Sequence, residues 1–306
     1  MMNLAPDFLR GSYPPLITPF RDGAVDVAKF SELVERQVRE GSHGILVNGT
    51  TGEPSSLTTV ERNTLVRTAV EVAAHRVPVV AASGSQSFAE TIELTAAAEK
   101  AGADAVLVVT PYYIKPSQRG LVEYFCAVGE RTDLPLMIYH IPGRAAVSVN
   151  AATVEKIAAR RPNLVGIKQA VNDLDLISEL LLHLGRDFRA FCGLEALSLP
   201  MLAVGAAGIM NAAGNLAPGR IAQLSDEVHN GNLAAARALH FELFELNQAI
   251  FLDTNPIPLK YMMSRLGLLD TSELRLPLVP LDEPRRKVLD DVLHRAGLLQ
   301  AHGVAR

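Results

Sequence analysis

The sequence predicts an α/β fold, a (β/α)8 TIM barrel with a C-terminal helical extension, and three observations carry that prediction. Short apolar runs alternate with amphipathic helical stretches along most of the chain. The runs are apolar throughout instead of alternating, as in parallel strands covered on both faces. One return from helix to strand also recurs, as Gly41-Ser42-His43-Gly44, Gly102-Ala103-Asp104-Ala105 and Gly205-Ala206-Ala207-Gly208, each opening on a glycine suited to the C′ position of the preceding helix.

The candidate strands are residues 15–17, 44–47, 78–81, 105–109, 134–139, 165–168, 190–193 and 207–210. Eight strands in βα repeats of roughly 20 to 35 residues suit a closed parallel barrel. Thr58-x-x-Glu61 and Ser87-x-x-Glu90 read as capping boxes that start two of the intervening helices. A doubly wound open sheet is the alternative, but no G-x-G-x-x-G follows the first strand. Beyond Ala217 the strand signal stops, and helices are expected at 218–229, 232–251, 256–266 and 283–296. The first closes the barrel, and the others form the extension. The division is therefore a barrel over 1–230 and a helical extension over 231–306, together one domain.

Composition narrows the function. The 306 residues are 48% hydrophobic and 20% charged, with a mean hydropathy of +0.17, as in a soluble globular enzyme. A net charge of −4 without a basic stripe argues against nucleic acid as a partner. Cys126 and Cys192 lie far apart and outside any C-x-x-C motif, which disfavours a disulfide framework and suggests a reducing cytoplasm. No apolar stretch reaches the roughly twenty residues of a membrane span, and residues 1–10 lack the apolar core of a secretory signal. The histidines form no H-x-H or H-E-x-x-H pattern, so no metal site is expected.

Catalytic groups of a barrel gather at the C-terminal ends of its strands. Those ends offer hydroxyls and one amine: Thr18, Asn48 to Glu53, Ser83, Thr110 to Tyr113, Tyr139, Lys168, Gly193, and Met210 with Asn211. Lys168 closes an apolar run. It either reaches solvent or is buried, and burial would disfavour its charged form and make it a Schiff-base nucleophile. Tyr139 ends the preceding strand and so stands within reach as a proton relay. The turn Gly49-Thr50-Thr51-Gly52 supplies N–H and hydroxyl donors for a carboxylate, or is a plain βα turn. Arg144, after Pro142-Gly143, is placed to clamp a second carboxylate or simply to be solvated. His140 should point away from Tyr139 by strand alternation and serve packing.

Taken together, these segments resemble the dihydrodipicolinate synthase / N-acetylneuraminate lyase superfamily, the pyruvate-dependent class I aldolases. The likeness runs from about Gly11 to Leu268 and also rests on Pro15-Leu16-Ile17-Thr18-Pro19-Phe20, Gly166-Ile167-Lys168 and Asn255-Pro256-Ile257-Pro258-Leu259-Lys260. It implies a cytoplasmic, cofactor-free lyase, assembled as a homotetramer (a dimer of dimers), with small-molecule substrates. Lys168 would form the Schiff base with pyruvate. Tyr139 would shuttle protons, and Thr50 or Thr51 and Tyr113 would complete a hydroxyl relay, the last across a dimer interface. Thr51, Gly193 and the backbone of Met210 would line the pyruvate side, and Arg144 would bind the acceptor's carboxylate. The synthase branch implies L-aspartate 4-semialdehyde as acceptor, giving 4-hydroxy-tetrahydrodipicolinate for lysine biosynthesis. Sister activities of the same imine are the alternatives: a 2-keto-3-deoxy-acid aldolase or dehydratase, or a hydroxypyrroline-carboxylate deaminase. A non-catalytic 2-oxo-acid-binding protein is more remote. His140, Ala145, Gln169 and Leu194-Glu195 depart from the usual synthase residues, at positions expected to border the second substrate.

Overall fold

The computed structural model describes residues 2–299. Its strands are β1 (Gly11–Ser12), β2 (Phe20–Arg21), β3 (Ala24–Val25), β4 (Ile45–Val47), β5 (Val79–Ala82), β6 (Ala105–Val109), β7 (Leu136–His140), β8 (Leu164–Gln169), β9 (Arg189–Cys192) and β10 (Gly208–Ile209). Eight of them form one parallel sheet in the order β1-β10-β9-β8-β7-β6-β5-β4. A parallel bridge between Pro15 and Leu46 joins its two ends, reinforced where Leu16 N–H donates to Leu46 O at 2.9 Å. The predicted α/β barrel is the observed architecture, with helices between successive strands.

The first strand needs correction. Regular pairing lies at Gly11–Ser12, not at 15–17. Pro14 and Pro15 carry no N–H, so after Tyr13 the chain has no backbone donor until Leu16. A short antiparallel hairpin, β2 with β3, follows and was not foreseen. The predicted helix 232–251 is two helices, Leu233–Glu242 and Phe244–Ala249, that meet at Leu243. The other two predicted helices of the extension appear as Ile257–Arg265 and Glu283–Arg295, and residues 300–306 lie outside the described region.

Local signals behave as their chemistry dictates. Gly41, Gly102 and Gly205 adopt φ of +87°, +85° and +108°, a region that penalises a Cβ. Thr58 and Glu61 form both bonds of a capping box. Ser87 accepts from Glu90 N–H, but the Glu90 carboxylate bonds the Ser85 hydroxyl instead of closing the second box.

Two apolar layers follow from strand alternation. Leu46, Val80, Leu107, Met137, Tyr139, Val165 and Phe191 form the barrel interior. Ile45, Val47, Val106, Val108, Leu136, Ile138, Leu164 and Ile167 pack outward against the helices. In β8 this alternation breaks. Leu136 pairs with Leu164 but Met137 pairs with Gly166, so Val165 is an extra residue, a β-bulge. Val165 points in, Ile167 out and Lys168 in again. Without the bulge, Lys168 would face the helices. A bulge re-aiming one side chain beside a functional site is a recurrent device.

Candidate active site

Lys168 and Tyr139 are direct register partners on β8 and β7. Both are buried, at 3% and 6% exposure. The Lys168 Nζ lies 4.5 Å from the centroid of the Tyr139 ring. The Tyr139 hydroxyl lies 3.2 Å from Thr50 Oγ1, either atom being able to donate. An amine packed on a tyrosine ring and a threonine hydroxyl beside that tyrosine's own hydroxyl thus adjoin at the C-terminal end of the barrel. The cavity there holds about 620 Å³, and Asn48, Thr50, Tyr139, Ile141, Arg144 and Asn255 are among its walls. Lys168 is not in that wall; Tyr139 links it to the cavity.

The Gly49 turn is a 3-10 turn over Thr50–Gly52, closed by Gly52 N–H donating to Gly49 O at 2.8 Å. The opening N–H groups of such a turn have no partner within it and are free for an anion. Thr51 is 3% exposed, and its Oγ1 accepts from Asn255 Nδ2 at 2.9 Å. Below the turn, Glu53 Oε1 and Lys260 Nζ form an ion pair at 2.5 Å with both side chains buried. Burial drives both toward neutrality: Glu53 is raised, and Lys260 is pushed down to about 8. Lys260 Nζ also donates to Glu273 O at 2.9 Å and lies 4.1 Å from the Phe20 ring centroid. Asn255 and Lys260 thus brace the turn from the extension. In the sequence their segment stands out only as a point of likeness, and the opposite charges of Glu53 and Lys260 are the one signal of the contact.

Arg144 sits on the short helix Pro142–Ala145 after β7, where its Nη2 donates to Asn255 O at 3.2 Å. Gly193 follows β9 and makes room for the lysine: a Cβ there would stand 2.8 Å from Lys168 Cε. Met210 N–H donates to Cys192 O at 2.7 Å, so this donor is already engaged in the sheet. Tyr113 is 85% exposed, with φ of +72°, and is not in the cavity wall, where Tyr112 stands instead. The structure therefore assembles Lys168, Tyr139, Thr50, Thr51, Gly193 and Arg144 at one end of the barrel and leaves Tyr113 outside the chain's own site.

Two expected acceptor-side positions face elsewhere. His140 Nδ1 meets Gln169 Oε1 at 2.6 Å, and its Nε2 accepts from Val149 N–H at 3.3 Å. Gln169 Nε2 donates to Asp173 O at 3.2 Å. They are register partners, one residue beyond Tyr139 and Lys168, so alternation turns both outward to the helix layer. Burial lowers the His140 pKa and favours the neutral ring. The two departures form a single hydrogen-bonded pair away from the cavity. Ala145, in contrast, does line it.

A parallel barrel with a buried lysine and a tyrosine at its carboxyl end defines a protein equipped for Schiff-base chemistry on a small carbonyl compound. Comparison with known proteins gives the family. The model of the dihydrodipicolinate synthetase family matches residues 8–296, and the chain belongs to that family. It is similar to a 4-hydroxy-tetrahydrodipicolinate synthase of Thermus thermophilus, with 47% identity over 95% of this chain and 97% of the relative. Among solved structures it resembles the dihydrodipicolinate synthase of Aquifex aeolicus, with TM-score 0.93, 39% identity, and coverage of 95% of this chain and all (100%) of the other. The dihydrodipicolinate synthase of Acinetobacter baumannii, solved as a complex with pyruvate, matches with TM-score 0.92 and 36% identity, covering 95% and 100% of the two chains. Among the described residues, no helix is long and apolar enough to cross a membrane.

Proposed function

We propose that the protein catalyses the reaction of a 4-hydroxy-tetrahydrodipicolinate synthase, condensing pyruvate with L-aspartate 4-semialdehyde in lysine biosynthesis. The observation that carries this reading is the Lys168–Tyr139 register pair with the Thr50 hydroxyl 3.2 Å from the phenol. The relatives named above, and the pyruvate bound by one of them, support the substrate pair.

In this reading the Lys168 amine adds to the pyruvate ketone carbon, and water leaves as the imine forms. Tyr139, relaying through Thr50, delivers the proton that water needs and later takes one from the methyl carbon, giving the enamine. The enamine carbon attacks the aldehyde carbon of the semialdehyde, and the new alkoxide takes a proton to become the 4-hydroxyl. The amine of the semialdehyde then attacks the former ketone carbon. This closes the ring and frees Lys168. The Thr50–Thr51 turn holds the pyruvate carboxylate, and Arg144 holds that of the acceptor. Tyr113, exposed in the single chain, serves the relay of a partner subunit, in a homotetramer built as a dimer of dimers. Residues 1–230 act as the barrel and 231–306 as its brace.

Incubation with pyruvate and aspartate semialdehyde should give the cyclic hydroxy-acid product, detected by coupled reduction, with one product per semialdehyde consumed. The same protein should leave 2-keto-3-deoxy sugar acids and hydroxypyrroline carboxylates unchanged. Turnover of either class without semialdehyde condensation would transfer the protein to a sister activity of the same imine.

A further inference from the structure

Glu195 is a buried carboxyl that the mechanism above leaves unused. It opens the 3-10 turn Glu195–Leu197, two residues past Gly193, and is 3% exposed. Its Oε1 accepts the N–H of Ala212 at 2.7 Å, whereas Oε2 is buried without a hydrogen-bond partner. Ala212 lies directly after Met210 and Asn211, so this carboxyl ties the end of β9 to the end of β10. The same loop packs on the lysine, as the 2.8 Å approach of a Gly193 Cβ to Lys168 Cε indicates. Lys168, Cys192 and Glu195 thus gather at the ends of β8 and β9, where Cys192 Sγ meets Leu194 O at 3.1 Å.

We propose that Glu195 is a positioning residue for imine formation: through Ala212 it fixes the Met210–Ala212 segment beside Lys168, and its carboxylate compensates the iminium that the neutral Lys168 amine becomes. The inference rests on the Schiff-base reading of Lys168. A buried carboxylate with one unbonded oxygen is costly unless a cation compensates it, and the iminium formed at Lys168 would supply that charge from β8. Among the described residues, the elements packed on Glu195 bring no other charge to it. From β9, burial pushes Cys192 up to about 12, which keeps the thiol neutral. From the turn after β10 come backbone N–H groups, and from the helix Ser198–Ala203 comes Ser198, whose hydroxyl donates to Glu195 O at 2.7 Å. The helix Phe244–Ala249 packs on the turn, but its one titratable group, Glu245, is exposed and paired with Arg295 at 2.7 Å. Burial raises Glu195 to about 7, so its charge changes within the working range.

Borohydride trapping of the pyruvate adduct at Lys168, followed by mass across roughly pH 5.5 to 8.5, tests this in the native protein and in Glu195→Gln and Glu195→Asp. The native yield should rise through an ionisation near neutrality. Glu195→Gln should lose that ionisation and trap about tenfold less above it. Glu195→Asp should keep the ionisation. Yields within about twofold of native at every pH, or a loss by the same factor at every pH, would overturn the proposal. Should Glu195→Gln fail to fold by circular dichroism, the native profile decides, and a flat one overturns the proposal. Absence of any adduct in the native protein would remove the Lys168 reading and this inference together, whereas a normal native adduct with an indifferent Glu195→Gln removes this inference alone.

Discussion

The Tyr139 hydroxyl stands 3.2 Å from Thr50 Oγ1 while its ring covers Lys168 Nζ at 4.5 Å, so one side chain both packs the amine and, in the proposed mechanism, carries its protons. Removing only the oxygen separates these tasks. Tyr139→Phe should lower kcat by about 10²- to 10⁴-fold, the usual worth of a positioned acid or base. It should change stability by no more than about 1 kcal/mol, the net value of one hydrogen bond. Steady-state kinetics beside denaturant unfolding checks both; a near-native kcat would show that protons travel by another route. These residues were legible in the sequence because each ends an apolar strand. The exposure of Tyr113 was legible only through the family resemblance, since no strand pattern fixes the course of the loop after β6. The outward turn of Gln169 was not legible, because it depends on the phase of β8.

That phase is set at the level of the element. Val165 is the bulged residue, and Gly166 lies so close to β9 that a Cβ would stand 2.3 Å from Arg189 O. Gly166→Ala must push β8 and β9 apart or shift the bulge, with overpacking costs of about 1–3 kcal/mol. Activity should fall further than stability, because the lysine two residues on would lose its aim. Thermal unfolding together with imine yield measures the pair of effects; unchanged imine yield with lowered stability would mean that the bulge does not aim Lys168. The apolar runs and returning glycines displayed the barrel, since burial on both faces and positive φ leave compositional marks. The bulge leaves none, because Leu164-Val165-Gly166-Ile167 reads as an apolar strand in either phase.

At the scale of the molecule, the extension is fastened to the Gly49 turn as well as to the barrel wall. Asn255 holds Thr51 and Lys260 holds Glu53. Arg275 reaches Glu61 at 2.6 Å and Ser56 O at 3.0 Å. Breaking the Glu53–Lys260 pair from one side, as in Lys260→Ala, should cost about 3–5 kcal/mol because a carboxylate stays buried without its cation. Denaturant unfolding measures it, and a loss below about 1 kcal/mol would mean that water already reaches the pair. The Arg275 guanidinium holds the Glu61 carboxyl at about 2, below its ordinary 4.5. A depressed carboxyl contributes stability that is complete above the ordinary value and is lost as pH falls through 4.5 toward about 2. The half-wet pair should contribute about 1–2 kcal/mol. Glu61→Gln should therefore flatten the acid limb of a Tm-against-pH curve between those values, and an unaltered limb would assign acid sensitivity elsewhere. Sequence spacing identified the helices of the extension but not this fastening, which joins residues more than two hundred positions apart.

The account turns on Lys168 being the amine that takes up the 2-oxo acid. Borohydride reduction in the presence of pyruvate, followed by peptide mass analysis, tests this most directly. One reduced pyruvyl group should appear on the peptide containing Lys168 and be absent from a folded Lys168→Ala protein. An adduct on another lysine, or full condensing activity in Lys168→Ala, would contradict it.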